Sequence, residues 1–199
     1  MESEYIVLLH EGFIGETYRL TNNWLDYVNI NDFMHKPINY LEIGTLYGAN
    51  ILSFANTYGR HNGSKLYCID PWEDYDEYSE YKNQQSIIYS SFFTNIENSG
   101  VKKDKIIIKR GYSNIEIPNL KDNFFDIIYI DGNHDPEYVL EDAVLSFRKL
   151  KVNGIMIFDD YGWSGSEVVK GVDGFVDVYS KRIKLLGLKN GQVFIEKIK

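Results

Sequence analysis

The chain is poor in sulfur and in positive charge, and it has no long apolar run. Its one cysteine, Cys68, lies in an apolar strand pattern, which excludes an internal disulfide and a multi-cysteine zinc site and leaves core packing as its role. No stretch of about 18 apolar residues is available for a membrane span, and the N-terminus has neither a basic start nor a small-residue cleavage site. A cytoplasmic chain with no membrane partner is therefore expected. Lys and Arg total 21 against 29 for Asp and Glu, a net charge of −8, which disfavours a groove that must neutralise nucleic-acid phosphates. A small-molecule substrate suits this balance better. The 199 residues need no linker and form one domain, long enough for a core of several strands with covering helices.

A dinucleotide fingerprint is also missing. Ile38 to Ile43 is apolar and β-preferring, lies between Pro37 and Gly44, and reads as a buried parallel strand; Ala49 to Tyr58 then takes helical spacing. The glycines in the intervening turn, Gly44 and Gly48, are four apart, whereas the pyrophosphate-binding pattern is G-x-G-x-x-G. Glu42 stands at the strand's end, where a carboxylate repels phosphate but pairs with a cation. A sulfonium cofactor with an amino group fits such a turn better than a pyrophosphate does. The bland alternative is a strand-to-helix turn that uses glycine only for its backbone angles.

The remaining elements alternate strand and helix. Leu66 to Asp70, Lys105 to Arg110, Phe124 to Asp131 and Gly154 to Phe158 read as strands. Ile87 to Ser99, Pro136 to Leu150 and Ser166 to Ser180 read as helices, the last interrupted by Gly171 and Gly174. Ile183 to Leu188 and Gln192 to Ile198 form a hairpin about an Asn-Gly turn. Ahead of the first strand, Tyr18, Leu20, Trp24, Leu25, Val28 and Ile30 suggest an amphipathic helix. This N-terminal segment, residues 1–36, could cover a cofactor or mediate homo-oligomer contacts, although packing on the domain at 37–199 is the simpler role. The acidic, aromatic run from Pro71 to Tyr81 leaves the sheet at the same rim and reads as a lid.

The pattern Glu42-Ile-Gly44-Thr-Leu-Tyr-Gly48 resembles the first motif of class I methyltransferases that use S-adenosyl-L-methionine. The resemblance implies an α/β, Rossmann-like doubly wound sheet of seven strands, parallel except for a C-terminal antiparallel strand. It also implies a cofactor loop of Glu42, Gly44, Thr45, Tyr47 and Gly48, with Glu42 near the cofactor's amino group. Asp70, ending the second strand, is expected on the ribose hydroxyls. Trp72 is expected against the adenine face, and Tyr112 and Ser113 beside it.

Asp131 ends one strand and Asp159-Asp160 end another, so a doubly wound sheet brings three carboxylates to one rim. Such a set suits Mg2+, Mn2+ or Ca2+, unless the three merely cap the segments that follow. The stretches Ile130-Asp-Gly-Asn-His134 and Phe158-Asp-Asp-Tyr161 resemble the metal-dependent O-methyltransferases, especially the branch acting on sugars of natural products. The likeness runs from Pro37 to Ile198. It implies ligation of a divalent metal, Mg2+ foremost, by Asp131, Asp159 and Asp160, and a hydroxylated small-molecule acceptor such as a sugar or nucleotide-sugar. A catechol-like phenol is the second acceptor class, and His134 is the candidate general base. Gly132-Asn-His-Asp135 also matches a metallophosphoesterase fragment, but the other metal motifs of those hydrolases are missing. An NAD-dependent oxidoreductase and a non-catalytic interaction module are the remaining rivals.

Overall fold

The computed structural model describes residues 8–18, 20–75, 77, 79–163 and 167–199. Seven strands form one sheet: β1 Asn39–Ile43, β2 Lys65–Asp70, β3 Ile106–Arg110, β4 Phe125–Ile130, β5 Leu150–Phe158, β6 Ile183–Lys189 and β7 Gln192–Lys197. Their order is β3-β2-β1-β4-β5-β7-β6, and β7 alone runs antiparallel to its neighbours, as expected for the doubly wound fold. Successive connections lead from β1 outward to β3 on one side, whereas β4 returns to the other side of β1. The loops after β1 and β4 therefore diverge, which opens a crevice at the carboxyl ends of these strands.

Alternation along the strands divides the core into two layers. Tyr40, Ile127 and Tyr129 face one layer with Trp24, Phe54, Tyr58 and Phe92, while Leu41, Ile43 and Ile128 face the other with Phe147, Phe158 and Phe175. The helices α1 Ala49–Asn56 and α2 Gln85–Asn98 cover the first face. The helices α3 Ser113–Glu116, α4 Pro136–Lys149 and α5 Val168–Tyr179 belong to the second.

Helix α5 is continuous through Gly171 and Gly174; the expected start at Ser166 lies outside the described residues. A Cβ on Gly171 would sit 2.7 Å from the Pro136 carbonyl oxygen, so glycine there lets α5 approach α4 closely. Strand β5 begins at Leu150, directly after α4, with a register shift opposite Phe125 and Ile127. In the hairpin, Asn190 and Gly191 take φ of 52° and 75°, the left-handed pair that a two-residue turn demands.

The segment before β1 differs from the expected amphipathic helix. It carries two single 3-10 turns, Thr21–Trp24 and Ile30–Asp32. Asparagine accounts for part of this, because the Asn29 side chain accepts the Asn31 backbone N–H at 3.1 Å and competes with helical bonding. What holds the segment is Trp24, 0% exposed among Tyr40, Phe54, Tyr58 and Tyr129. Beside it the Thr21 hydroxyl bonds those of Ser53 and Thr57 at 2.7 and 2.8 Å. Among the described residues no helix is long and apolar enough to cross a membrane.

Candidate active site

The crevice above β1 and β4 is a cavity of about 1040 Å3. Its floor is the turn after β1. Gly44 has φ +77°, and a Cβ there would lie 1.8 Å from the Asp131 carbonyl oxygen, so only glycine lets this turn touch the end of β4. Gly48 has φ +86° and abuts the Phe92 ring, where a Cβ would sit 2.6 Å from Cδ2. The Gly48 N–H donates to the Thr45 carbonyl at 2.7 Å, which tightens the turn before α1.

Asp70, at the end of β2, anchors that turn. Its Oδ2 accepts the N–H groups of Thr45 and Leu46, both at 2.9 Å, and its Oδ1 accepts the Trp72 N–H at 2.7 Å. The carboxylate also borders the cavity, so it can meet a ligand while fixing the loop. Trp72 does not stand where the sequence reading puts it. It is 2% exposed, its indole packs on Tyr89 and Phe92, and its Nε1 donates to the Leu46 carbonyl at 3.0 Å. Its place is beneath the loop, in the core, where α2 offers Tyr89 and Phe92 as aromatic partners and the Leu46 carbonyl takes its N–H.

Glu42 is 1% exposed yet reaches the cavity wall. It accepts the Tyr40 hydroxyl at 2.7 Å and the Asn50 Nδ2 at 3.1 Å. Burial pushes its carboxyl up to about 8 against these hydrogen bonds. Asn50 Oδ1, on the same wall, is buried without a hydrogen-bond partner. A buried acid and an orphaned acceptor side by side are complementary to a ligand cation that donates hydrogen bonds, such as an ammonium group.

On the β4 and β5 side, Asp131, His134 and Asp160 each present a ligand atom within 4.8 Å of the others. Oxygen and imidazole donors of this kind fit a divalent cation. Burial, then the facing Asp159 and Asp160, push the Asp131 carboxyl well up. Asp159 borders the same cavity and is also tied inward. Its Oδ2 accepts the Tyr129 hydroxyl and lies 3.3 Å from Gln192 Nε2, while its Oδ1 accepts the Asp160 N–H at 2.8 Å. All three expected metal ligands border the cavity; Asp131 and Asp160 group with His134, and Asp159 is in addition bonded to Tyr129 and Gln192. His134 Nε2 lies 2.9 Å from Asp160 Oδ2, and Nδ1 lies 2.6 Å from Glu77 Oε1. Burial opposes a charged ring, but the bonds to Asp160 and Glu77 outweigh it and raise His134 to about 10.

Another part of the cavity wall carries Tyr112 and Ser113, the residues expected beside the adenine. The Tyr112 hydroxyl donates to Glu73 at 3.0 Å. Asp142 on α4, which local sequence spacing did not single out, also lines the cavity. It is 3% exposed, and burial raises it to about 7 against a hydrogen bond from Ser113. An acid within the apolar stripe of Val139, Ala143 and Phe147 was the available signal. Glu16, Asn50, Tyr75, Glu77 and Tyr81 are among the further wall or contact residues that local spacing did not identify.

The model of a methyltransferase-domain family, Methyltransf_24, matches residues 41–161. The chain belongs to that family. The matched methyltransferase core runs from β1 through β5 and includes the glycine turn, Asp70, Asp131 and the Asp159-Asp160 pair. An uncharacterized protein, R132 of Acanthamoeba polyphaga mimivirus, is 26% identical over 155 residues. That match takes in 77% of this chain and 64% of the viral protein, so the chain spans less than two thirds of its relative. Among solved structures, the O-methyltransferase NovP superposes with a TM-score of 0.66 at 15% identity, over 89% of this chain and 76% of NovP. MycE, a methyltransferase of the mycinamycin biosynthetic pathway solved with Mg and SAH, gives 0.59 at 15% identity over 90% of this chain and 49% of MycE. These likenesses establish the class I methyltransferase fold.

Proposed function

We propose that the chain is an S-adenosyl-L-methionine-dependent O-methyltransferase of the cytoplasm, acting with a divalent cation, Mg2+ foremost, on a hydroxyl of a sugar-like small molecule. The observation that carries this reading is the placement, in one cavity, of the buried Glu42–Asn50 pair and the Asp131, His134 and Asp160 cluster. The family membership and the SAH and Mg bound to MycE support it.

In this reading Glu42 and Asn50 Oδ1 hold the cofactor's ammonium group, and the glycine turn admits its methionine portion. Asp70 keeps the turn closed and offers its remaining acceptor capacity to the ribose. Ser113 and Asp142 border the adenine end, and Tyr112 flanks it. Asp131 and Asp160 hold the cation, with Asp159 fixing the end of β5 on which Asp160 sits. Bound S-adenosyl-L-methionine supplies an electrophilic methyl group, and the cation supplies charge stabilisation at the acceptor oxygen.

His134 is the residue we assign to proton transfer. Its ring is held at Nδ1 by Glu77, which leaves Nε2 directed to Asp160 within the metal cluster. Once the negative charge of Asp160 is engaged elsewhere, Nε2 loses one of the two partners that keep the ring protonated. The ring then gives up its Nε2 proton to water and, once neutral, can receive the acceptor's hydroxyl proton, with Glu77 stabilising the imidazolium so formed. Ring orientation by Glu77 keeps this nitrogen facing the cavity rather than the solvent.

The test is methyl transfer from labelled S-adenosyl-L-methionine to a panel of sugars, nucleotide-sugars and catechols, with Mg2+ and with excess chelator. The reading expects transfer that the chelator abolishes and Mg2+ restores. Full activity in chelator would remove the metal from the mechanism.

A further inference from the structure

The acceptor end of the cavity lies beneath the strap that follows β2. Glu77 ties this strap to His134 on one side, and the Tyr81 hydroxyl donates to Glu16 at 2.6 Å on the other. Between these ties stand Tyr18, Tyr47, Tyr75 and Tyr81, with Glu16 and Glu80, all on the wall. Tyr47 closes the group from below, its ring so near Gly15 that a Cβ there would sit 2.2 Å from Cγ. The charge of Glu16 reaches these rings: after burial, it is a further cause that raises the hydroxyls of Tyr47, Tyr75 and Tyr81. Carboxylates recur around the rest of the cavity, whereas none of its described wall residues is a lysine or an arginine.

We infer that the acceptor is a cationic, amine-bearing hydroxyl compound of the amino-sugar class, its ammonium group seated among Glu16, Glu80 and the strap tyrosines, and not an anionic nucleotide-sugar. This deepens the methyltransferase reading and rests on it. Tyrosine faces attract an ammonium through their quadrupoles, and the exposed carboxylates of Glu16 and Glu80 add charge complementarity at the rim of the pocket. A diphosphate needs the opposite lining, with guanidinium or ammonium donors that the described wall does not supply. Gln85, 7% exposed and on the same wall, independently points to a polar ligand: its Nε2 is buried with no hydrogen-bond partner, and it suits a hydroxyl oxygen.

The test uses the full chain loaded with SAH and Mg2+, titrated calorimetrically with glucosamine, N-acetylglucosamine and UDP-glucose at slightly acidic pH, where the glucosamine amine is charged. The first two probes differ at the nitrogen and keep the same hydroxyls. Glucosamine is expected to bind about tenfold or more tightly than N-acetylglucosamine, with UDP-glucose weakest. The double substitution Glu16→Gln with Glu80→Gln should bring the first ratio near one. Binding of UDP-glucose as tight as that of glucosamine, equal binding of the two sugars, or a ratio that survives the double substitution overturns the inference. Failure of SAH itself to bind is a separate result, which defeats the methyltransferase reading and this inference together.

Discussion

Gly44 and Asp131 are in backbone contact: a Cβ on Gly44 would lie 1.8 Å from the Asp131 carbonyl oxygen. The glycine turn after β1 and the end of β4 that leads into Asp131 are thus fitted to each other at the point where the sheet reverses its winding. The two functions of the proposed site cannot move independently there, because neither backbone can give way cheaply.

Gly44→Ala should therefore damage folding and ligand binding together. The left-handed backbone alone costs an alanine about 1–2 kcal/mol, and the clash adds to it. Gly100→Ala is the control, since Gly100 has φ +73° with nothing within 4 Å of its would-be Cβ. Urea unfolding should show the larger loss for Gly44→Ala, and SAH calorimetry should show weakened binding for that variant alone. Equal losses in both variants would mean that the Gly44–Asp131 contact relaxes without consequence.

Stability without ligand should fall as pH rises. Glu42 moves from an ordinary 4.5 to about 8 on folding, and Asp142 from 3.8 to about 7, so between those limits the folded chain holds more protons than the unfolded one. For each acid the folded state is then penalised progressively as pH climbs through that window. His134, raised from 6.5 to about 10, acts in the same direction: its stabilisation is complete below 6.5 and is lost as pH approaches 10. Melting temperature measured from pH 5 to pH 9 should decline, and Glu42→Gln should flatten the profile below pH 8. A rise in melting temperature across that range contradicts the assignment.

Asp159 and Asp160 should separate on substitution although they are neighbours. Asp160→Asn should weaken Mn2+ or Mg2+ binding by at least about tenfold and reduce turnover, with little change in SAH affinity. Asp159→Asn should chiefly lower stability, because it disturbs the buried Tyr129 and Gln192 contacts. Metal titration followed by calorimetry, beside thermal unfolding of the same two proteins, distinguishes the roles. Identical metal affinities in the two variants would contradict the division.

Most of the scaffold was legible because its signals are local. Apolar strands closed by Gly44, Asp70, Asp131 and Asp159 could be ordered in sequence, and Asn190-Gly191 marked the hairpin. What sequence did not disclose depends on distant partners. Trp72 is buried because α2 supplies Tyr89 and Phe92, and no spacing near Trp72 encodes that. The Glu77–His134 and Glu16–Tyr81 contacts join residues 57 and 65 positions apart, so they arise only once the strap folds over the crevice. Asp159 and Asp160 look equivalent as a pair, yet with φ of +55° at Asp160 their carboxylates meet different neighbours, Tyr129 and Gln192 for the first and His134 for the second. The N-terminal segment misled through composition, since its apolar residues fit a helix while its asparagines favour short turns.

The most direct measurement is calorimetric titration of the wild-type chain and of Glu42→Gln with SAH, repeated in buffers of different ionisation enthalpy and with NAD as the competitor ligand. The account predicts that SAH binds and NAD does not, and that uptake near pH 7 releases a fraction of a proton because Glu42 must ionise to meet the cofactor's ammonium group. It also predicts that Glu42→Gln weakens binding and removes that proton release. Binding of NAD in preference to SAH, or SAH binding indifferent to Glu42, would contradict it.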